Sequence, residues 1–198
     1  MGLKGKLIVI YGINNIGKTV QSKKLISYLK FKKFKVHYFK IPVYNLSPTG
    51  PLIDRILRRG KKQEISEEEF QRMYAKNRKD YQPIIKKKLE KGYIVVAEDY
   101  VGTGLAWGSV KGASMDYLKK INKGIIKENL AILLDGERFT KAKEKKHIHE
   151  NCSNKIIGKV RSQHIKLARE YDWKIVNANQ DKEKVFEDIR KKVDKLIF

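Results

Sequence analysis

Residues 6 to 19 read Lys-Leu-Ile-Val-Ile-Tyr-Gly-Ile-Asn-Asn-Ile-Gly-Lys-Thr, an order that leaves few folds open. The apolar run 7–11 has the length of a buried strand, and Gly12, Ile13, Asn14, Asn15, Ile16, Gly17, Lys18 and Thr19 follow it at once. The second part fits the P-loop spacing G-x-x-x-x-G-K-[ST]. Glycines let backbone N–H groups close around phosphate oxygens. The helix expected next turns its positive end toward the same anion. Lys18 is then expected to reach the β- and γ-phosphates, and the Thr19 hydroxyl to complete a Mg²⁺ shell. The bland alternative is a tight Gly-rich turn between strand and helix. The strand before the loop and the helical pattern after it favour a nucleoside triphosphate, with ATP and Mg²⁺ as the expected cofactors.

Downstream, apolar patterning alternates between two periods. Helices are expected at 21–31, 52–57 and from Ser66 onward, where Ser66 and Glu69 form a capping box. Residues 42–51 hold three of the four prolines and read as a loop. Pro83 predicts a break or a new start, with another helix to Leu89 and a stop at Gly92. Strands are expected at 36–39, 93–97, 130–134 and 173–176, the middle two apolar enough for burial on both faces. Residues 102–112, with four glycines, read as a loop or broken helix. Residues 139–159 are basic, without apolar periodicity, and are expected to be mobile. Helices at 160–171 and 185–196 close the chain. Five strand–helix alternations predict an α/β fold with a mostly parallel five-stranded sheet and ligands at the carboxyl ends of its strands.

The 198 residues, 41% of them hydrophobic, suit one domain with a sizeable core. No apolar run approaches the length of a membrane span. A cleavable signal would have to include the first strand. One cysteine, Cys152, excludes an internal disulfide and fits a reducing, cytoplasmic setting. Net charge is +23, from 45 Lys and Arg against 22 Asp and Glu, which raises nucleic acid as a partner. The lysines are spread over the whole length without interleaved aromatics, so a solvated surface is the simpler reading.

A P-loop needs an acid nearby. Two apolar strands end in acids, one in Glu98-Asp99 and one in Asp135, and on a parallel sheet both fall on the P-loop rim. The first is the better candidate because a Gly-rich segment follows it. Neighbouring carboxylates repel, so a metal or a lysine is expected to compensate. Tyr74 and Arg78, four apart on one helix, share a face and offer a ring and a guanidinium to one ligand. His147-x-His149-x-x-Cys152 has metal-ligating side chains but no known zinc spacing. His37 and His164 read as structural.

Taken together, these pieces resemble the thymidylate kinase (dTMP kinase) family of P-loop nucleoside monophosphate kinases over nearly the whole chain. The family places Arg-Phe-Pro or Arg-Glu-Pro ahead of a Thr/Pro-x-Gly turn. Lys40-Ile41-Pro42 and Ser47-Pro48-Thr49-Gly50 match, with lysine for arginine. Tyr74 matches an aromatic that stacks on thymine, and Arg78 an arginine that holds the monophosphate. Glu98 falls on the catalytic and metal-facing aspartate, Thr103 on a serine, and Trp107 on an aromatic beside the deoxyribose. Asp99 stands where the family has an arginine, reversing a charge. Asn14-Asn15-Ile16 contains no arginine either, so phosphoryl neutralisation falls to a lid at about 139–159 with Lys143, Lys145, Lys146, Lys155 and Lys159.

The resemblance implies a three-layer α/β/α fold with a mobile lid over residues 1–198, and ATP-dependent phosphorylation of dTMP to dTDP. Lys18 and Glu98 would be catalytic, Thr19 and Glu98 metal-facing, and Lys40, Pro42, Tyr74, Arg78, Thr103 and Trp107 substrate-binding. The family commonly dimerises. Rival readings are a deoxynucleoside kinase with Glu98 as base, a nucleic-acid-binding P-loop ATPase, and a kinase-like fold that binds nucleotide without turnover.

Overall fold

The computed structural model describes residues 4–58, 63–139 and 147–198. Among them five strands form one sheet in the order β2-β3-β1-β4-β5, and every neighbouring pair is parallel. The central strands are β1 (Lys6–Tyr11), β3 (Ile94–Glu98) and β4 (Leu130–Asp135). They are buried on both faces, as their near-continuous apolar sequences require. The edges are β2 (Val36–Lys40) and β5 (Lys174–Asn177), both more exposed. Ile10 lies opposite Glu98, and Tyr11 opposite Leu133, so the P-loop, Glu98-Asp99 and Asp135 share one rim.

Two helical layers cover the sheet. Helix α1 (Lys18–Phe31) packs against β1, β2 and β3 and against α7 (Lys182–Ile197). The other group is α2 (Thr49–Arg58), α3 (Glu67–Glu90), α4 (Val101–Val110), α5 (Met115–Ile121) and α6 (Asn154–Glu170). Within it α3 and α4 carry most contacts to the cleft.

Several boundaries differ from expectation, each for a physical reason. Helix α3 runs straight through Pro83. Its buried face, Phe70, Tyr74, Arg78, Ile85 and Leu89, continues on both sides of the proline, and that packing outweighs the lost backbone hydrogen bond. The capping box at Ser66 and Glu69 forms as expected. The Gly-rich stretch is not a loop but helix α4. Its glycines buy close approach: a Cβ on Gly102 would lie 2.2 Å from the Trp173 ring, and one on Gly108 2.7 Å from Leu118. Helix α5 has no counterpart in the sequence reading. Helix α6 starts at Asn154, capped by Ser153, so the irregular segment ends earlier than 159.

Candidate active site

The P-loop is built by backbone geometry. Gly12 (φ 146°) and Gly17 (φ 94°) both occupy the left-handed half of backbone space, which glycine enters without steric cost. Gly17 caps α1 without any side-chain hydrogen bond, leaving the helix's first N–H groups to the loop's interior. Lys18 Nζ donates to the carbonyls of Gly12 (2.8 Å) and Ile13 (2.9 Å) and lies 3.6 Å from Asp99 Oδ1. Burial pulls its ammonium pKa down, and the nearby Asp99 and Glu98 charges oppose that shift.

The two neighbouring acids do not face each other. Asp99 takes a left-handed backbone conformation (φ 58°), and the two acids take different partners. Glu98, fully buried, accepts from Thr19 Oγ1 at 2.8 Å through Oε2 and from the Tyr38 hydroxyl through Oε1. Lys40 Nζ stands 3.9 Å from Oε2. Asp99 instead accepts from Thr103 Oγ1 (2.9 Å) and faces Lys18. The expected compensation by lysine is therefore present, with a different lysine for each acid. Asp135 is held by Arg161 through two hydrogen bonds of 2.7 and 3.0 Å and is a structural acid.

One cleft of about 400 Å³ runs from the P-loop along α3 and α4. Lys18, Thr19, Lys40, Pro42, Tyr74, Arg78, Glu98, Thr103 and Trp107 all line it, with Asn14, Asn15 and Gly17. Gly12, Ile13 and Ile16 support the loop from behind. Lys155 sits exposed in the first turn of α6, away from the cleft wall. Lys143, Lys145 and Lys146 lie outside the described residues.

Arg78 is 1% exposed and has no carboxylate partner among the described residues. Its Nε donates to Asn122 Oδ1 (3.1 Å) and its Nη1 to the Tyr100 carbonyl (3.3 Å), while Nη2 has no partner there. Burial lowers its pKa to about 10, so it stays a cation at neutral pH. Gln71 Oε1 is likewise buried and unpartnered, its amide nitrogen being tied to Glu67. A Cβ on Gly104 would stand 3.0 Å from Gln71 Oε1 and 3.1 Å from Arg78 Nη2, so the glycine keeps that corner clear.

Four residues that line or brace the cleft were not assigned to it from the sequence. Gln71 shares the helix face of Tyr74 and Arg78, and Tyr38 shares the strand face of Lys40; both were findable by period alone. Asn77 ties the loop after β2 to α3 by bonding Val43 on both backbone groups and Thr49 Oγ1. His149 stacks on Trp107 (centroids 4.1 Å, 11° between planes), and burial holds its imidazole neutral. No local pattern marks these two. His147 and His149 line the cleft, while Cys152 Sγ donates to the Ile148 carbonyl, and among the described residues no group of three metal-ligating side chains converges.

A parallel sheet with a P-loop at its centre, and an acid on the adjacent strand end bonded to the loop's threonine, defines a P-loop nucleoside triphosphate-binding protein. A family model described as thymidylate kinase matches residues 10–189. The human thymidylate kinase is 29% identical over 192 residues, covering 94% of this chain and 89% of that protein. A probable thymidylate kinase of Pyrococcus abyssi is 30% identical over 196 residues, covering 94% and 95%. The solved thymidylate kinase of Candida albicans superposes with a TM-score of 0.82 at 20% identity, over 96% of this chain and 92% of that one. The chain belongs to the thymidylate kinase family. It is accordingly a nucleoside monophosphate kinase that uses ATP.

Proposed function

We propose that the chain transfers the γ-phosphoryl group of ATP to dTMP, giving ADP and dTDP. The observation that carries this reading is Arg78, a buried guanidinium without an acid partner, placed beside Tyr74 and Gln71 in the cleft wall. An uncompensated buried cation is costly, which argues for a ligand that brings an oxygen to it. Arg78 Nη2 and Gln71 Oε1 form a donor beside an acceptor. The thymine edge, O4 beside N3–H, is the complementary pair, so Arg78 is proposed at the base rather than at the phosphate that the resemblance gave it. Tyr74 supplies ring surface to the base.

The phosphate end follows from Lys40, which lies beside Glu98 and next to the P-loop. In the proposed reaction an oxygen of the acceptor phosphate attacks the γ-phosphorus, the bond to the β–γ bridging oxygen breaks, and ADP leaves with that electron pair. A phosphate monoester, with its second pKa near ~6, is largely dianionic at neutral pH and needs no base. Catalysis is therefore positioning and charge stabilisation. Lys18 would exchange its carbonyl partners for β- and γ-phosphate oxygens.

The Thr19 hydroxyl and Glu98 carboxylate, 2.8 Å apart, are the hard oxygen donors Mg²⁺ takes. They are proposed to hold it, and the ion, once bound, would supply positive charge beside the transferring phosphates. Residues 139–159 are proposed as the lid, with Lys143, Lys145 and Lys146 covering the phosphoryl group. Incubation with ATP and Mg²⁺ should convert dTMP to dTDP and leave thymidine unchanged. The deoxynucleoside kinase reading, which Asp99 in the cleft favours by its negative charge, requires the opposite.

A further inference from the structure

We propose that Tyr38 is a positioning residue that fixes the Glu98 carboxylate and so sets how tightly the enzyme–ATP complex takes its divalent cation. This rests on the functional reading above only in assigning Glu98 to that cation.

The geometry starts from the sheet. Strands β2 and β3 pair with Lys40 opposite Glu98 and Tyr38 opposite Val96. Side chains alternate along a strand, so Tyr38, Lys40 and Glu98 stand on one face. Tyr38 leans toward the strand end and donates its hydroxyl to Glu98 Oε1. The other oxygen, Oε2, accepts from Thr19 Oγ1 at 2.8 Å and has Lys40 Nζ at 3.9 Å. The two carboxylate oxygens are thus divided: one is tethered to the sheet edge, and the other is presented to the P-loop.

Glutamate needs that tether more than aspartate would. It has one more rotatable bond, and its carboxylate can swing away from Thr19 without moving the backbone. Tyrosine is suited to the task, because its hydroxyl is carried on a rigid ring with few torsions to freeze. Tyr38 does not line the cleft, so it acts through Glu98 and not on the nucleotide. Partners of this kind typically contribute 10- to 100-fold to metal affinity.

The test reads Mn²⁺ binding to the protein–ATP complex by electron paramagnetic resonance, with no acceptor present. Tyr38→Phe should weaken Mn²⁺ about tenfold and change metal-free ATP affinity by less than about twofold. In a Glu98→Gln background the same change should add nothing, since the tethered carboxylate is gone. Unchanged Mn²⁺ affinity in Tyr38→Phe would overturn the proposal. So would an equal loss of metal-free ATP binding, or a full additional loss in the Glu98→Gln background, because either makes Tyr38 a general support of β2. Urea midpoints of the variants check folding. Since dTMP is absent, failure of this proposal and failure of the acceptor assignment are separate results.

Discussion

At the donor end of the cleft, Lys18 rests on the carbonyls of Gly12 and Ile13, and Thr19 bonds Glu98, so the key side chains are mutually paired. At the acceptor end, Arg78 Nη2, Gln71 Oε1 and His149 Nε2 are buried without partners among the described residues. A buried polar atom left unpaired costs about 1–3 kcal/mol. The donor end is therefore stable as it stands and must exchange bonds to bind ATP. The acceptor end gains new bonds outright when a matching ligand arrives. In the proposed reading the first arrangement serves the triphosphate, common to many enzymes, and the second is where selectivity is built.

Variants should separate the two ends. Lys18→Ala should lower kcat about 10³-fold with any acceptor, since it removes a charge preorganised for the transferring group. Steady-state kinetics with two acceptors checks it, and an acceptor-dependent loss would blur the division. Next in size is base selectivity. The cytosine edge reverses donor and acceptor against Arg78 and Gln71, so kcat/KM for dCMP should fall about 10²- to 10⁴-fold below that for dTMP. Uracil shares the thymine edge, and dUMP should remain a substrate. Equal use of dCMP would remove the base-edge role from Arg78.

A smaller effect of opposite sign is expected at Asp99. Its carboxylate faces Lys18 and lines the cleft, where the proposed acceptor phosphate would approach. Asp99→Asn should lower KM for dTMP, by about three- to tenfold, because like charges near a shared site repel at a cost of about 1 kcal/mol. High salt should shrink the gain. A raised KM would make Asp99 an acceptor-binding group.

The last prediction concerns the fold and not the cleft. His164 is buried, with Nδ1 on the Val160 carbonyl, and burial lowers its pKa to about 4. The unfolded chain binds that proton first, at about pH 6.5, so stability is full above this pH and declines as pH falls toward 4. The loss is about 3 kcal/mol in total, from roughly 1.4 kcal/mol per pKa unit. Urea midpoints against pH should show a shallower acid slope in His164→Gln.

Legibility from sequence followed the same division. Residues 6–19 are contiguous, so strand, loop and helix start could be read together, and the Glu98-Asp99 strand end joined them through sheet order. The acceptor end is assembled from α3, α4 and the segment around His149, and only parts on one element were legible. Tyr74 and Arg78 were found because they share a helix face. His149 on Trp107 was not, because a contact across 42 positions leaves no local period. Helix α4 was expected as a loop or a broken helix because its glycines look like breakers, and it runs unbroken from Val101 to Val110. Their reason is the Trp173 ring, which lies 71 residues downstream of Gly102. Glu98 and Asp99 were expected to need a metal or a lysine, but which lysine answers which acid shows only in the fold, where Lys40 stands by Glu98 and Lys18 by Asp99.

The most direct test of the central claim is a product assay with purified protein, ATP and Mg²⁺, offering dTMP and thymidine side by side. The proposed chemistry predicts dTDP and ADP in equal amounts, with thymidine untouched. Phosphorylation of thymidine with dTMP left intact, or ADP release that needs nucleic acid and yields no dTDP, would contradict it.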